Sequence, residues 1–199
     1  MQMNKPDLSG RRIGCAMTGS FCTFKEVFAA WRSLKECGAE LVPIMSFNAS
    51  ACNTRFYSAR DSVGIFEEIC GTKVLNTIEQ VEPIGPRRLL DLLIVAPCTG
   101  NTLAKIANGI TDTPAALVVK SHLRNQRPVL IAVSTNDALG ASAGNIGKLM
   151  NIQNIYFVPF GQDDPSQKPN SCVACFDLMA ESAEKALLNR QIQPVLRQK

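Results

Sequence analysis

The sequence predicts an α/β fold: a doubly wound parallel sheet of the Rossmann-like or flavodoxin-like kind, a three-layer sandwich with helices on both faces. Three observations carry that expectation. Short runs of continuous apolar residues alternate with segments whose apolar residues recur at three- and four-residue steps, so strands alternate with helices. Strands that are apolar throughout belong to sheets covered on both faces. The composition, 46% hydrophobic and 19% charged over 199 residues, is that of a globular domain able to bury one core without staples. No repeat, low-complexity tract or linker divides the chain, so residues 1–199 read as a single domain.

Taken in order, Arg12–Met17 (RIGCAM) is the first strand and ends at Thr18-Gly19-Ser20. Phe24, Val27, Phe28, Trp31 and Leu34 then mark one face of a helix, and Gly38 is its stop. Leu41–Phe47 (LVPIMSF) is the second strand. Val63, Phe66, Glu67 and Ile69 form the next helix, closed by Gly71. Leu89–Ala96 (LLDLLIVA) is the third strand, and Leu103, Ile106, Ala107 and Ile110 follow at helical spacing. Val129–Val133 and Ile155–Pro159 are the fourth and fifth strands. Phe176–Asn189 is the closing helix, with Leu178, Met179, Ala183, Ala186 and Leu187 on one face. Asn48–Tyr57 and Gly161–Asn170 read as the longest irregular stretches, and long loops in compact domains are often functional.

Composition also narrows the function. A net charge of +4, scattered along the chain, lacks the concentrated basic face of a nucleic-acid binder. Met1–Gly10 is polar with no apolar signal-peptide core, and no apolar run is long enough to span a bilayer. A cytoplasmic location with reduced thiols is therefore expected. The eight cysteines then read as small buried apolar residues, with Cys98 alone inside a candidate site loop. Cys172-Val-Ala-Cys175 has neither a second close pair nor neighbouring histidines, and the single histidine excludes any two-histidine metal site, so no metal is expected. That histidine, His122, reads as a helix-end or surface residue. Arg87-Arg88 and Arg197–Lys199 read as solvated charges, and Asp163-Asp164 as a turn before Pro165.

In doubly wound sheets ligands bind outside the carboxyl ends of the strands. After the first strand comes Thr18-Gly19-Ser20. Its glycine lets backbone approach a ligand, and its hydroxyls and amides suit a phosphate monoester, although the same residues serve equally as a cap. It is neither a G-x-G-x-x-G nor a Walker A loop. After the second strand come Ser46-Phe47-Asn48 and Asn53-Thr54-Arg55-Phe56; after the third, Pro97-Cys98-Thr99-Gly100-Asn101-Thr102; after the fourth, Ser134-Thr135-Asn136-Asp137. Loops of this kind at one sheet edge make a pocket rich in neutral hydrogen bonders, which suits a flavin ring or polar heterocycle better than a metal.

Thr18-Gly19-Ser20 and the long run Ala96-Pro-Cys-Thr-Gly-Asn-Thr-Leu-Ala-Lys-Ile-Ala-Asn-Gly-Ile-Thr-Asp112 resemble the flavoprotein family of FMN-dependent cysteine decarboxylases. Ser134-Thr135-Asn136 stands where that family has Ala-Met-Asn, and Asn145, Leu149 and Pro159 continue the likeness over most of the chain. The resemblance implies FMN as cofactor, with Thr18, Gly19 and Ser20 at its phosphate. It places Ser46 and Asn48 by the ribityl chain or ring. Pro97, Thr99, Gly100, Asn101, Thr102, Ser134, Thr135 and Asn136 line the other side. It also implies a homo-oligomer.

One departure separates the chain from those decarboxylases. They carry a histidine after the second strand, and Asn48–Cys70 has none. Asn53–Phe56, Ser134–Gly140, Phe160–Pro165 and Lys168–Ser171 resemble instead a branch of the family found in spore-forming bacteria. The resemblance implies that this chain acts with a second, nicotinamide-binding protein to oxidise dihydrodipicolinate to dipicolinate, so the NAD(P) site belongs to that partner. A cyclic dicarboxylate needs cations, and Arg55, Lys105 and Lys168 are the candidates. Lys105 is expected on the Asn101 side of its helix, and an exposed lysine reads equally well there. No catalytic residue is assigned. Two alternatives stand beside the oxidoreductase: a non-catalytic flavoprotein-like protein that binds or activates the nicotinamide-binding partner, and an FMN-dependent decarboxylase.

Overall fold

The computed structural model describes residues 5–197, so residues 1–4 of the polar N-terminal stretch and residues 198–199 of the C-terminal basic group lie outside the described residues. The elements run β1 (Arg12–Met17), α1 (Phe24–Glu36), β2 (Glu40–Met45), α2 (Phe47–Ala51), α3 (Ala59–Cys70), α4 (Ile78–Val81), β3 (Leu92–Cys98), α5 (Gly100–Ala107) and α6 (Pro114–Arg124). Then follow β4 (Val129–Thr135), α7 (Ala143–Met150), β5 (Ile155–Phe157), β6 (Phe160–Gln162), β7 (Cys172–Ala174) and α8 (Met179–Leu187).

Five strands pair in parallel in the order β2-β1-β3-β4-β5. This is the flavodoxin-like order, and it places a topological switch point between β1 and β3. All seven residues of β3 are buried, as a central strand covered on both faces requires. Helix α1 turns Phe24, Val27, Phe28, Trp31 and Leu34 into the core, as its spacing predicted. Phe66 of α3 meets them, 6.3 Å from Phe28 and 6.1 Å from Trp31 between ring centres. Gly71 closes α3 with φ of 76°, a conformation glycine adopts without strain. Helix α1 packs on α3 and α8, and α5 packs on α6 and α7, so helices cover both faces of the sheet.

Beyond the parallel core, β7 pairs antiparallel with the last residues of β4, and β6 pairs antiparallel with β7. The sequence does not announce this hairpin, because strands of three residues are too short to show a period. Gly161 and Gln162 are thus strand, not loop. Helix α2 is equally silent in the sequence. Ser46 ends β2 by accepting from Ala49 N at 3.3 Å, so Phe47 starts a helix and is 44% exposed instead of closing a strand.

Helix α5 starts at Gly100 and stops at Ala107, leaving Ile110 outside it and exposed beyond Gly109. Its cap is Thr99. Four cysteines are buried as expected, but Cys22 and Cys52 are exposed and Cys70 and Cys175 half-buried, so the core reading holds only for Cys15, Cys37, Cys98 and Cys172. His122 is in the last turn of α6 as expected but is not a surface residue: only 2% of it is exposed.

Candidate functional site

Thr18 ties the two strands at the switch point. Its hydroxyl donates to Pro97 O at 2.7 Å and accepts from Thr99 N at 3.0 Å, and its own amide donates to Pro97 O at 3.2 Å. The ladder of β3 shifts register between Val95 and Cys98, where Pro97 has no amide hydrogen to give. The chain then turns at Thr99, whose Oγ1 accepts from Thr102 N at 3.3 Å and starts α5. Among the described residues, the amides of Gly19, Gly100 and Asn101 have no hydrogen-bond acceptor.

Strand β4 delivers the third wall. Ser134 Oγ lies 2.7 Å from Ser20 Oγ and 3.4 Å from Thr23 Oγ1. Just beyond, Asp137 Oδ1 accepts from the Thr135 hydroxyl and from Ser142 Oγ at 2.8 Å. The Thr135 hydroxyl, helped by Ser142, holds the Asp137 carboxyl below the usual carboxylate range, so it is ionised at neutral pH. A Cβ on Gly100 would sit 2.6 Å from Ser142 Oγ and 2.8 Å from both Asp137 Oδ1 and Thr135 Oγ1. Glycine is what lets the start of α5 approach this trio, and the carboxylate there favours the positive end of the helix.

These loops surround a cavity of about 890 Å³, within the range of ligand sites. Gly19, Ser20, Thr99, Gly100, Asn101, Ser134, Thr135 and Asn136 line it, together with Arg55 from the α2–α3 loop and Lys168 from the β6–β7 loop. The other expected site residues stand elsewhere. Thr18 and Thr102 are buried, with their hydroxyls committed to Pro97 and Thr99, and Pro97 lies within β3. Ser46 caps α2, and Asn48 packs beside Gly19, its Cβ 3.8 Å from where a Gly19 Cβ would stand. These five shape the walls and are not among the cavity-lining residues. Lys105 is not brought to the cavity: its Nζ holds both oxygens of Asp112, at 2.5 and 2.6 Å. That pairing lowers the Asp112 pKa.

Three acidic residues in the wall are given no site role by the sequence: Glu26, Asp137, named only as part of its loop, and Asp163, read as part of a turn. Asp137 directly follows Asn136 in a candidate loop, and that adjacency is its signal. Glu26 belongs to the first turn of α1 and has no signal beyond helix spacing. Asp163 is 3.5 Å from Lys168 Nζ across the β6–β7 loop. Cys22, not the buried Cys98, is the thiol in the wall. Burial pushes the Cys98 thiol far up. Among the described residues no group of histidine, cysteine and carboxylate side chains is arranged to hold a metal. No helix is long and apolar enough to cross a membrane, again among the described residues.

A family model described as Flavoprotein matches residues 1–190. The chain belongs to the flavoprotein family. Within that family it is 46% identical to the B subunit of dipicolinate synthase from Bacillus subtilis (strain 168), over 95% of this chain and 94% of that one. The crystal structure of the dipicolinate synthase B subunit from Bacillus halodurans C superposes with a TM-score of 0.89 at 40% identity, covering 97% of this chain and 99% of that one. The FMN-dependent cysteine decarboxylase SpaF shares the fold, with a TM-score of 0.68 at 21% identity over 91% and 99% of the two chains. The resemblance to the flavoprotein family and the flavodoxin-like sheet read from the sequence therefore both hold.

Proposed function

We propose that this chain is the B subunit of a dipicolinate synthase, an oxidoreductase in which it works with a nicotinamide-binding A subunit to turn dihydrodipicolinate into dipicolinate during sporulation. The observation that carries the reading is the convergence of four loops, those after β1, β3 and β4 and the α2–α3 loop, on one cavity at the carboxyl edge of the sheet. Likeness to the B subunits of dipicolinate synthases along almost the whole chain supports the same reading.

The wall fits FMN chemically. Its hydroxyls, amides and free backbone N–H groups match a polar heterocycle and a phosphate monoester. The Asp137 carboxylate repels a phosphate from the start of α5, so the Gly19 side, flanked by Asn48, is the better phosphate seat. Ser20, Thr99, Gly100, Asn101, Ser134, Thr135 and Asn136 then line the ring and ribityl chain. Thr18, Ser46, Pro97 and Thr102 support them from below. When bound, a flavin supplies a two-electron acceptor. The chain's own residues orient the substrate, with Arg55 and Lys168 taking its carboxylates. The protein works in the cytoplasm as a homo-oligomer in this reading.

A second reading, a non-catalytic protein that activates its nicotinamide-binding partner, is favoured by one observation. No histidine lines the cavity, and the one histidine of the chain is buried in α6. The same observation speaks against a decarboxylase. Reconstitution separates them. Dipicolinate formation that needs both proteins and rises with added FMN supports the oxidoreductase. Full activity of the nicotinamide-binding partner by itself rejects a catalytic role. Titration with FMN that changes neither fluorescence nor visible absorbance rejects the flavin site.

A further inference from the structure

The α2–α3 loop places an arginine on an aromatic ring at the mouth of the cavity. Cζ of Arg55 lies 4.8 Å over the ring centre of Phe56, and both side chains line the cavity. The loop beneath them is tied from inside. Thr54 Oγ1 accepts from the amides of Phe56 and Tyr57, each at 3.2 Å, and Thr54 N donates to Tyr57 O at 2.9 Å. Asn53 Oδ1 accepts from Ala59 N at 2.9 Å. The backbone is thus fixed although Phe56 is 44% exposed. Among the described residues no carboxylate pairs with Arg55, whereas Lys168 already faces Asp163 at 3.5 Å. The cavity therefore has one cation whose charge is still unmatched.

We infer that Phe56 is a positioning residue: it holds the Arg55 guanidinium flat, with its fork open, as a clamp for a carboxylate conjugated to a planar ring. The inference rests on the dipicolinate reading above. An arginine that grips a carboxylate loses side-chain freedom, and stacking on Phe56 removes much of that freedom before the ligand arrives. The two parallel hydrogen bonds of such a pair put the carboxylate in the guanidinium plane. A carboxylate conjugated to an aromatic ring carries the ring into the same plane. A saturated ring puckers at the carbon that bears the carboxylate and leaves it. The site thus prefers a pyridine carboxylate to its saturated counterpart, and Phe56 exerts that preference through Arg55.

Titration calorimetry on the full-length protein tests this, with pyridine-2,6-dicarboxylate and piperidine-2,6-dicarboxylate as probes. The wild type is expected to bind the planar acid about tenfold more tightly. Phe56→Leu keeps an apolar side chain without a π face. It should weaken the planar acid about threefold and bring the two affinities together. Phe56→Tyr should restore both, an outcome a merely structural role does not give. Arg55→Lys keeps the charge but loses the fork, and should weaken the planar acid by about tenfold or more. Equal wild-type affinities, no binding of the planar acid, or a Phe56→Leu variant that keeps its preference would overturn the clamp. FMN titration and the reconstituted dipicolinate assay on the same wild-type protein judge the functional reading separately. Dipicolinate formation without planar preference rejects the clamp alone, and planar preference without dipicolinate formation keeps the clamp and rejects the reading.

Discussion

The hydroxyls of Ser20 and Ser134 meet at 2.7 Å across 114 residues of chain. One follows β1 and the other lies at the end of β4, so this contact closes the cavity wall from two strands that are not neighbours in the sheet. Ser134 is 2% exposed, and water cannot replace the partner readily. Ser134→Ala should cost about 1 kcal/mol of stability in urea unfolding. Ser20→Ala should cost less in that background than in the wild type, because the interaction is already gone. Strictly additive losses would show that the two hydroxyls do not interact.

Gly100→Ala should be more damaging. Its new methyl has three oxygens within 2.8 Å, those of Ser142, Asp137 and Thr135. None is the end of a long flexible chain, so the start of α5 has to move. A loss of about 1–3 kcal/mol is expected in thermal or urea melts, with weaker FMN binding. An unchanged melting temperature would mean that the loop gives way freely.

Thr18→Val keeps the shape and removes the hydroxyl. Pro97 O keeps only the long amide contact at 3.2 Å, and Thr99 N loses its acceptor at 3.0 Å. Both groups sit at a buried crossing, so about 1–3 kcal/mol should be lost. FMN affinity should fall as the β1 and β3 loops part. A variant as stable as the wild type would show that the bridge is dispensable.

His122 makes stability depend on pH. Burial, reinforced by the charge of Arg127, pushes its pKa down from 6.5 to about 4. Its Nε2 is buried without a hydrogen-bond partner. The unfolded chain therefore binds more protons than the folded one between those values, and stability rises with pH across the window. The contribution is complete above the unfolded pKa and is lost as pH falls toward the folded one. About 2 kcal/mol should disappear between pH 7.5 and 5. Urea unfolding of wild type and His122→Gln at both values checks this. The variant should show a shallower slope, and parallel slopes would clear His122.

The strands and long helices were legible because burial writes a period into the chain. Phe24, Val27, Phe28, Trp31 and Leu34 fall on one helical face, and every one of them is buried. The loops after β1, β3 and β4 were legible because the carboxyl edge of a parallel sheet is where ligands go. Within those loops, residue type did not say which side chains point outward. Thr18 and Thr102 are as polar as Thr99 and Thr135, yet they lie buried beneath the cavity. Lys105 has the right spacing for the site, but Asp112, seven residues on, captures it.

By itself the sequence determined the alternation of strand and helix, the edge of the sheet where the cavity lies, and the family. Each of these follows from a local pattern: a run, a period, a motif. Only the tertiary structure decided which groups stand together. The Ser20–Ser134 contact, the Asp137 carboxylate at the start of α5 and the antiparallel β6–β7 hairpin that brings Lys168 to the wall join segments distant in the chain. The physical reason is that such contacts are set by strand order and packing, and neither leaves a period in the sequence to be read.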